Sequence, residues 1–179
     1  MIVFKGLRAV VGDVVEGGRD RAAVVAVLNV EDEPEILFVV RMITGRDPWS
    51  GQVALPGGRW EEGDRDLVET ARRELLEETG IRLEELRLLG ALEEVRPSNM
   101  PSLRVIPFIA ESLGRPRVRL GSELATYFWA KLGRLKPAEK IVRKPSGEYQ
   151  VYPAYRYSAW IIWGVTARIL DQIFERIGD

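Results

Sequence analysis

The run from Pro56 to Ile81 constrains this chain more than any other. A Pro-Gly-Gly turn and a charged loop containing Asp64 lead into Arg73-Glu74-Leu75-Leu76-Glu77-Glu78-Thr79-Gly80-Ile81. The second half reads as a helix that starts near Asp64 or Asp66, either able to act as N-cap, and ends at Gly80. Leu67, Val68, Ala71 and Leu75 form its apolar arc. At about 100° per residue, Glu74, Glu77 and Glu78 project within roughly 100° of one another, where like charges repel. Arg73 is the basic residue close to that face within the helix. A Glu-rich helix is ordinarily a solvated face. Three acids placed beside a glycine turn are more simply explained by a bound hard cation, and an oxygen-only donor set selects magnesium, manganese or calcium.

Composition narrows the chemistry further. A chain of 179 residues suits one domain with a sizeable core, and a net charge of -1 gives no global attraction to nucleic acid or anionic membranes. No cysteine is present, which removes disulfides, thiolate metal sites and a cysteine nucleophile. The absence of histidine removes imidazole as base and as zinc ligand, so proton transfer falls to carboxylates, lysine, tyrosine or water on a metal. No secretory pattern or bilayer-length apolar run is present, so a cytoplasmic location is expected.

Around the Pro56–Ile81 run the pattern alternates strands with one more helix. Arg21–Val30 and Ile36–Met42 read as a hairpin about the turn Glu31–Pro34, and Gln52–Leu55 as a short strand. Leu86–Val95 and Leu103–Glu111 are further strands, joined by the loop 96–101. Arg117–Leu120 and Thr126–Ala130 are shorter ones, and Ile141–Arg143 with Glu148–Tyr157 forms a late hairpin. A last helix is expected over Ala159–Ile177, with Ile162, Val165, Ile169, Leu170 and Ile173 as its stripe. The order points to a mixed sheet between helices, an α/β/α arrangement in one domain over residues 1–179.

The double glycine, the acid and the Arg-Glu-Leu-x-Glu-Glu-x-Gly-Ile run together resemble the Nudix box. Every position from Arg73 to Ile81 matches it. Asp64 stands where the box has glutamate, and eight residues, one more than in the box, separate it from Arg73. The extra residue offsets the shorter side chain, so Asp64 is expected to reach Arg73. The resemblance implies the α/β/α sandwich, with a mixed sheet that contains antiparallel hairpins, and hydrolysis of a diphosphate with Mg2+ or Mn2+ as cofactor. It also implies that Gly57 offers its carbonyl to a metal, that Glu74 and Glu78 are the main ligands, and that Glu77 completes the shell or holds a water on the metal. Arg73 would orient the acids, while Leu75 and Ile81 belong to the core. The proton acceptor would be a box glutamate, Glu77, or the later Glu123, with Glu93, Glu94 and Glu111 as other options.

Segments 21–28, 36–41, 51–58 and 162–170 are further similar to the coenzyme A diphosphatase branch of the Nudix hydrolases, although Trp49 stands where that branch usually has histidine. For such a substrate Arg41, Arg46 and Arg59 would grasp phosphates, and Trp49 or Trp60 would stack on adenine. Trp160 and Trp163 read as core or interface residues, and Tyr155 and Tyr157 as packing residues on one face. Two other readings remain: a broad ADP-ribose or nucleotide-sugar diphosphatase, and a non-catalytic nucleotide-binding Nudix module. The partner expected is a small nucleoside diphosphate compound, and the apolar hairpins make a homodimer plausible.

Overall fold

The strand Arg21–Asn29 lies at the centre of the molecule, buried at every position except Val24. Its run of Ala, Val and Leu dictates this, because small and β-branched side chains on both faces suit a strand covered by a layer on each side. The computed structural model describes residues 3–44 and 51–178. Their elements, in order, are β1 (Val3–Phe4), β2 (Arg21–Asn29), β3 (Glu35–Arg41), β4 (Val53–Ala54), β5 (Gly57–Arg59), α1 (Leu67–Thr79), β6 (Arg87–Ala91) and β7 (Arg104–Ser112). There follow β8 (Leu124–Lys131), β9 (Lys136–Arg143), β10 (Tyr149–Tyr157), β11 (Trp160–Trp163), α2 (Val165–Arg176) and β12 (Ile177–Gly178).

β2 runs parallel to β7 along its whole length and antiparallel to β3 and β5. β3 pairs in turn with β4 and β8, and β7 with β6, which completes a mixed sheet. The expected hairpin of β2 with β3 forms only at its closed end, where Leu28 faces Ile36 and Asn29 faces Glu35. Beyond that the two strands part. β4 occupies the edge of β3 at Val39 and Val40, and β5 occupies the edge of β2 from Ala22 to Val24. Both β4 and β5 are short because Pro56, between them, has no N–H to continue a ladder. The sheet is therefore wedged open beside the Gly57–Gly58 turn.

The period of two along the strands sorts the core into two layers. Ala26, Leu28, Ile36, Phe38 and Ile109 face a cluster that includes Ile162, Ile169, Leu170 and Ile173. Val25, Val27, Leu37, Ile106 and Phe108 face the other way, against Leu67, Ala71 and Leu75 of α1. The result is the α/β/α sandwich, with α1 on one face and α2 together with the small sheet β9–β10–β11 on the other. Of the two candidate caps, Asp66 is the N-cap of α1, its carboxylate accepting from the Glu69 N–H at 2.9 Å. Asp64 is left for another role. Among the described residues no helix is long and apolar enough to cross a membrane.

Three expectations need correction. The last helix begins at Val165, not Ala159. Trp160–Trp163 is instead strand β11, antiparallel to β10, and Gly164, with φ 66°, breaks the chain between strand and helix. The aromatic and β-branched run Trp-Ile-Ile-Trp suits a strand, and Ile162 mimics a helical stripe because it enters the same core cluster from β11. Arg117–Leu120 is not a strand. Its irregular backbone covers the end of α1, where the Arg119 N–H donates to the Thr79 carbonyl at 2.7 Å. Finally, the late hairpin is longer on its first arm than expected, because Lys136–Lys140 also pairs with β10.

Candidate active site

Helix α1 packs beside β5, and this places Glu74 and Glu78 against the glycine turn. A Cβ on Gly58 would lie 2.4 Å from Glu74 Oε1, so only glycine lets this carboxylate come so close to the backbone. Gly57 donates its N–H to Glu78 Oε2 at 3.0 Å. The contact seen at Gly57 is thus through its N–H, where the resemblance implied a role for its carbonyl.

Arg73 holds the assembly in register. Its Nε donates to Asp64 Oδ1 at 3.0 Å and its Nη2 to Asp64 Oδ2 at 2.9 Å, a two-pronged pair. Its Nη1 donates to Glu74 Oε1 at 2.7 Å, and its Nη2 also reaches the Arg59 carbonyl at 3.0 Å. Asp64 is 6% exposed and accepts further bonds from Thr70 Oγ1 at 2.8 Å and the Glu61 N–H at 3.1 Å. The shorter acid on the longer loop does reach the arginine. Hydrogen bonding to Arg73 holds the Asp64 carboxyl below its ordinary range, with Thr70 and Glu61 acting the same way. Arg73 is raised in turn, so the pair stays ionised.

Glu74 and Glu78 are in the opposite condition. Burial pushes Glu74 up, against the opposing hydrogen bond from Arg73. Burial also pushes Glu78 up, to about 7; the Gly57 N–H opposes this, and the negative charges of Glu74 and Glu123 add to it. Both line a pocket of about 550 Å³ that opens where the sheet is wedged apart, and Arg41 and Glu123 line the same pocket. Arg41 Nη1 lies 4.0 Å from Glu78 Oε1.

Other residues expected at the site are dispersed. Glu77 is exposed and does not line the pocket, but it lies 3.6 Å from the same Arg73 Nη1 that bonds Glu74, and its charge adds to the upward push on Glu74. Glu93 pairs with Arg8 at 3.5 Å, Glu94 with Arg104 and Arg96 at 2.8 and 2.9 Å, and Glu111 with Arg87, all outside the pocket. Arg59 lines the pocket, with its guanidinium against Met100 Sδ. Arg46 and Trp49 lie outside the described residues. Trp60 does not line the pocket. Its indole N–H donates to the Asp64 carbonyl at 2.9 Å, and its ring packs in the core layer that includes Val14 and Leu67. Trp160 stacks on Phe128 with ring centres 5.2 Å apart, and Tyr155 and Tyr157 pack against the same core. Trp163, expected as a core or interface residue, lines the pocket together with Tyr152. The signal for them is long-range, since it depends on the pairing of β10 with β11.

Among the described residues no three acids stand close enough to form a ready cation site. The donor set nevertheless fits a hard divalent cation. Two carboxylates sit side by side, desolvated and only partly compensated, and the bare backbone of Gly58 lies against one of them. Oxygen donors without thiolate or imidazole match Mg2+ or Mn2+.

Residues 18–154 match the model of the NUDIX domain. The uncharacterized Nudix hydrolase NudL of Pectobacterium atrosepticum is 29% identical over 166 residues, covering 89% of this chain and 83% of its own. NudL of Photorhabdus laumondii is 30% identical over 163 residues, covering 87% and 84%. Among solved structures, a MutT/nudix family protein of Enterococcus faecalis superposes with a TM-score of 0.56 at 16% identity, covering 87% of this chain and 60% of that one. A binary complex of the C. elegans Ap4A hydrolase gives a TM-score of 0.53 at 23% identity, with coverages of 63% and 80%. At these identities the two structures speak for the fold alone, and it is the same fold. With the family model spanning most of the chain and the match covering 83% and 84% of the two relatives, the chain belongs to the NUDIX domain family and is a Nudix hydrolase.

Proposed function

We propose that the protein is a divalent-cation-dependent diphosphatase that cleaves the phosphoanhydride of a nucleoside diphosphate-linked compound, with coenzyme A or a derivative as its substrate. The observation that carries this reading is the pair Glu74 and Glu78, desolvated together on the wall of one pocket whose other walls are largely apolar. Glu74 and Glu78 would hold Mg2+ or Mn2+, helped by the Gly57 carbonyl and by Glu77 or Glu123. A divalent ion bound there neutralises phosphate charge and lowers the pKa of a bound water.

The chain's own side chains do the rest. Arg41 and Arg59 orient the diphosphate oxygens, since a guanidinium fork matches them. Asp64 fixes Arg73, and Arg73 fixes Glu74, so the ligand face keeps one geometry through turnover. Water attacks a phosphorus of the diphosphate, its proton passes to a carboxylate, and the anhydride P–O bond breaks. Glu123 lines the pocket and Glu77 does not, which favours Glu123 as the acceptor. Val24, Leu103 and Val105 give the apolar wall that suits an uncharged arm such as pantetheine.

Product analysis with Mg2+ or Mn2+ against coenzyme A, ADP-ribose, NADH and diadenosine polyphosphates tests the proposal. Release of phosphopantetheine and adenosine 3′,5′-bisphosphate is the expected result, abolished by chelator. Preferential cleavage of ADP-ribose would move the substrate assignment to the broader diphosphatase reading, and no cleavage of any of them would favour the binding module. In the same assay Glu123→Gln should lower kcat far more than Glu77→Gln, and the reverse order would return the proton to Glu77.

A further inference from the structure

The small sheet β9–β10–β11 is not needed to hold the carboxylates, yet it contributes part of the pocket wall through Val142, Tyr152 and Trp163. The register explains how. Trp163 stands opposite Ala154, and Tyr152, two residues along β10, projects from the same face. Ala154 is too small to fill the corner, so the two rings meet over it, with centres 5.4 Å apart and planes tilted by 49°. Both rings are only half-buried. Their neighbours in the same sheet, Tyr155, Tyr157 and Trp160, are taken up by the main core. Tyr152 and Trp163 instead present ring surface to the cavity that holds Glu74 and Glu78.

We propose that Tyr152 and Trp163 form the base-binding corner of the pocket, where the nucleobase of the substrate stacks, and that they set the preference for nucleoside-linked over base-free diphosphates. A flexible apolar arm is satisfied by branched side chains such as Val24, Leu103 and Val105, whereas a flat π-system gains most from a flat ring. Every base has such a face, so stacking selects for the presence of a base more than for its identity. Ser98 and Asn99, from the loop between β6 and β7, line the same pocket and offer polar groups to a base edge. The proposal deepens the diphosphatase reading by naming what recognises the nucleoside end.

Two measurements test it, and only the second depends on that reading. In the first, adenosine, which carries no phosphate, is titrated into metal-free protein while the tryptophan indole N–H signals are followed by NMR. The Trp163 signal is identified, among those of the five tryptophans, by its loss in Trp163→Phe. The signal should shift saturably in the wild type, and Tyr152→Ala should weaken adenosine binding several-fold. An unmoved Trp163 signal at saturating adenosine, or no adenosine binding at all, overturns the proposal. In the second, Trp163→Ala should raise KM for a nucleoside-linked diphosphate by about tenfold, with kcat within about twofold, while Trp163→Phe restores most of the loss. A base-free alkyl diphosphate should show no such change in KM. An equal rise in KM for the base-free compound would mean that the rings only shape the wall. Failure of every diphosphate to turn over would sink the diphosphatase reading and leave the adenosine result to decide this one.

Discussion

Glu78→Gln should lower kcat by about 10²- to 10³-fold while the protein stays folded. Glutamine has nearly the same shape, and its amide oxygen still accepts from the Gly57 N–H, so the turn and helix keep their contact. The substitution takes away a negative charge that burial already disfavours and that Glu74 disfavours further. In metal-free buffer at pH 8 the variant should therefore melt no lower than the wild type, because a desolvated carboxylate without full compensation costs stability. Steady-state kinetics and thermal melts on the same preparation check both halves. A variant that keeps full activity would remove Glu78 from the site, and one that fails to fold would mean that its charge is structural.

Asp64→Ala should have the reverse profile, with stability lost first. Asp64 takes four hydrogen bonds in a nearly closed setting, and two of them come from Arg73. Removing one partner of a buried pair costs about 3–5 kcal/mol, which lowers the melting temperature of a chain this size by roughly 10 °C. The pH dependence has a definite sign. The Asp64 carboxyl is held below its ordinary value, so its contribution is complete above about pH 4, the unfolded-chain range, and is lost as pH falls through the lower folded value. The stability gap between wild type and variant should thus be widest near neutrality and close in acid. A gap independent of pH would mean that the loss comes from packing and not from the ion pair. Activity should fall as well, since Arg73 freed from Asp64 no longer fixes Glu74.

The contrast between these two acids shows what the sequence discloses and what it hides. The helix, its apolar arc and the reach of Asp64 to Arg73 follow from local spacing, and a local rule suffices because all the partners lie within one loop and one helix. The choice between Glu77 and Glu78 does not follow. Both fall inside the same helical arc, and only the position of β5 decides that Glu78 is buried against Gly57 while Glu77 stays exposed. The parting of β2 and β3 is equally hidden, because it depends on β4 and β5 entering between two strands that read as a plain hairpin. Trp160–Trp163 passed for helix because Ile162, Val165 and Ile169 fit a helical stripe, although Ile162 reaches the core from a strand. That misreading also concealed Trp163, whose place on the pocket wall is set by its partner across the β10–β11 ladder.

The central claim is that Glu74 and Glu78 gather a divalent cation in the pocket where the anhydride is cut. Its most direct test is the stoichiometry of Mn2+ bound to the wild type and to Glu78→Gln, read from the loss of the free-ion signal in electron paramagnetic resonance. Saturable binding of at least one Mn2+ to the wild type, weakened at least about tenfold in the variant, is the expected result. Equal binding by both proteins, or none by either, would contradict it.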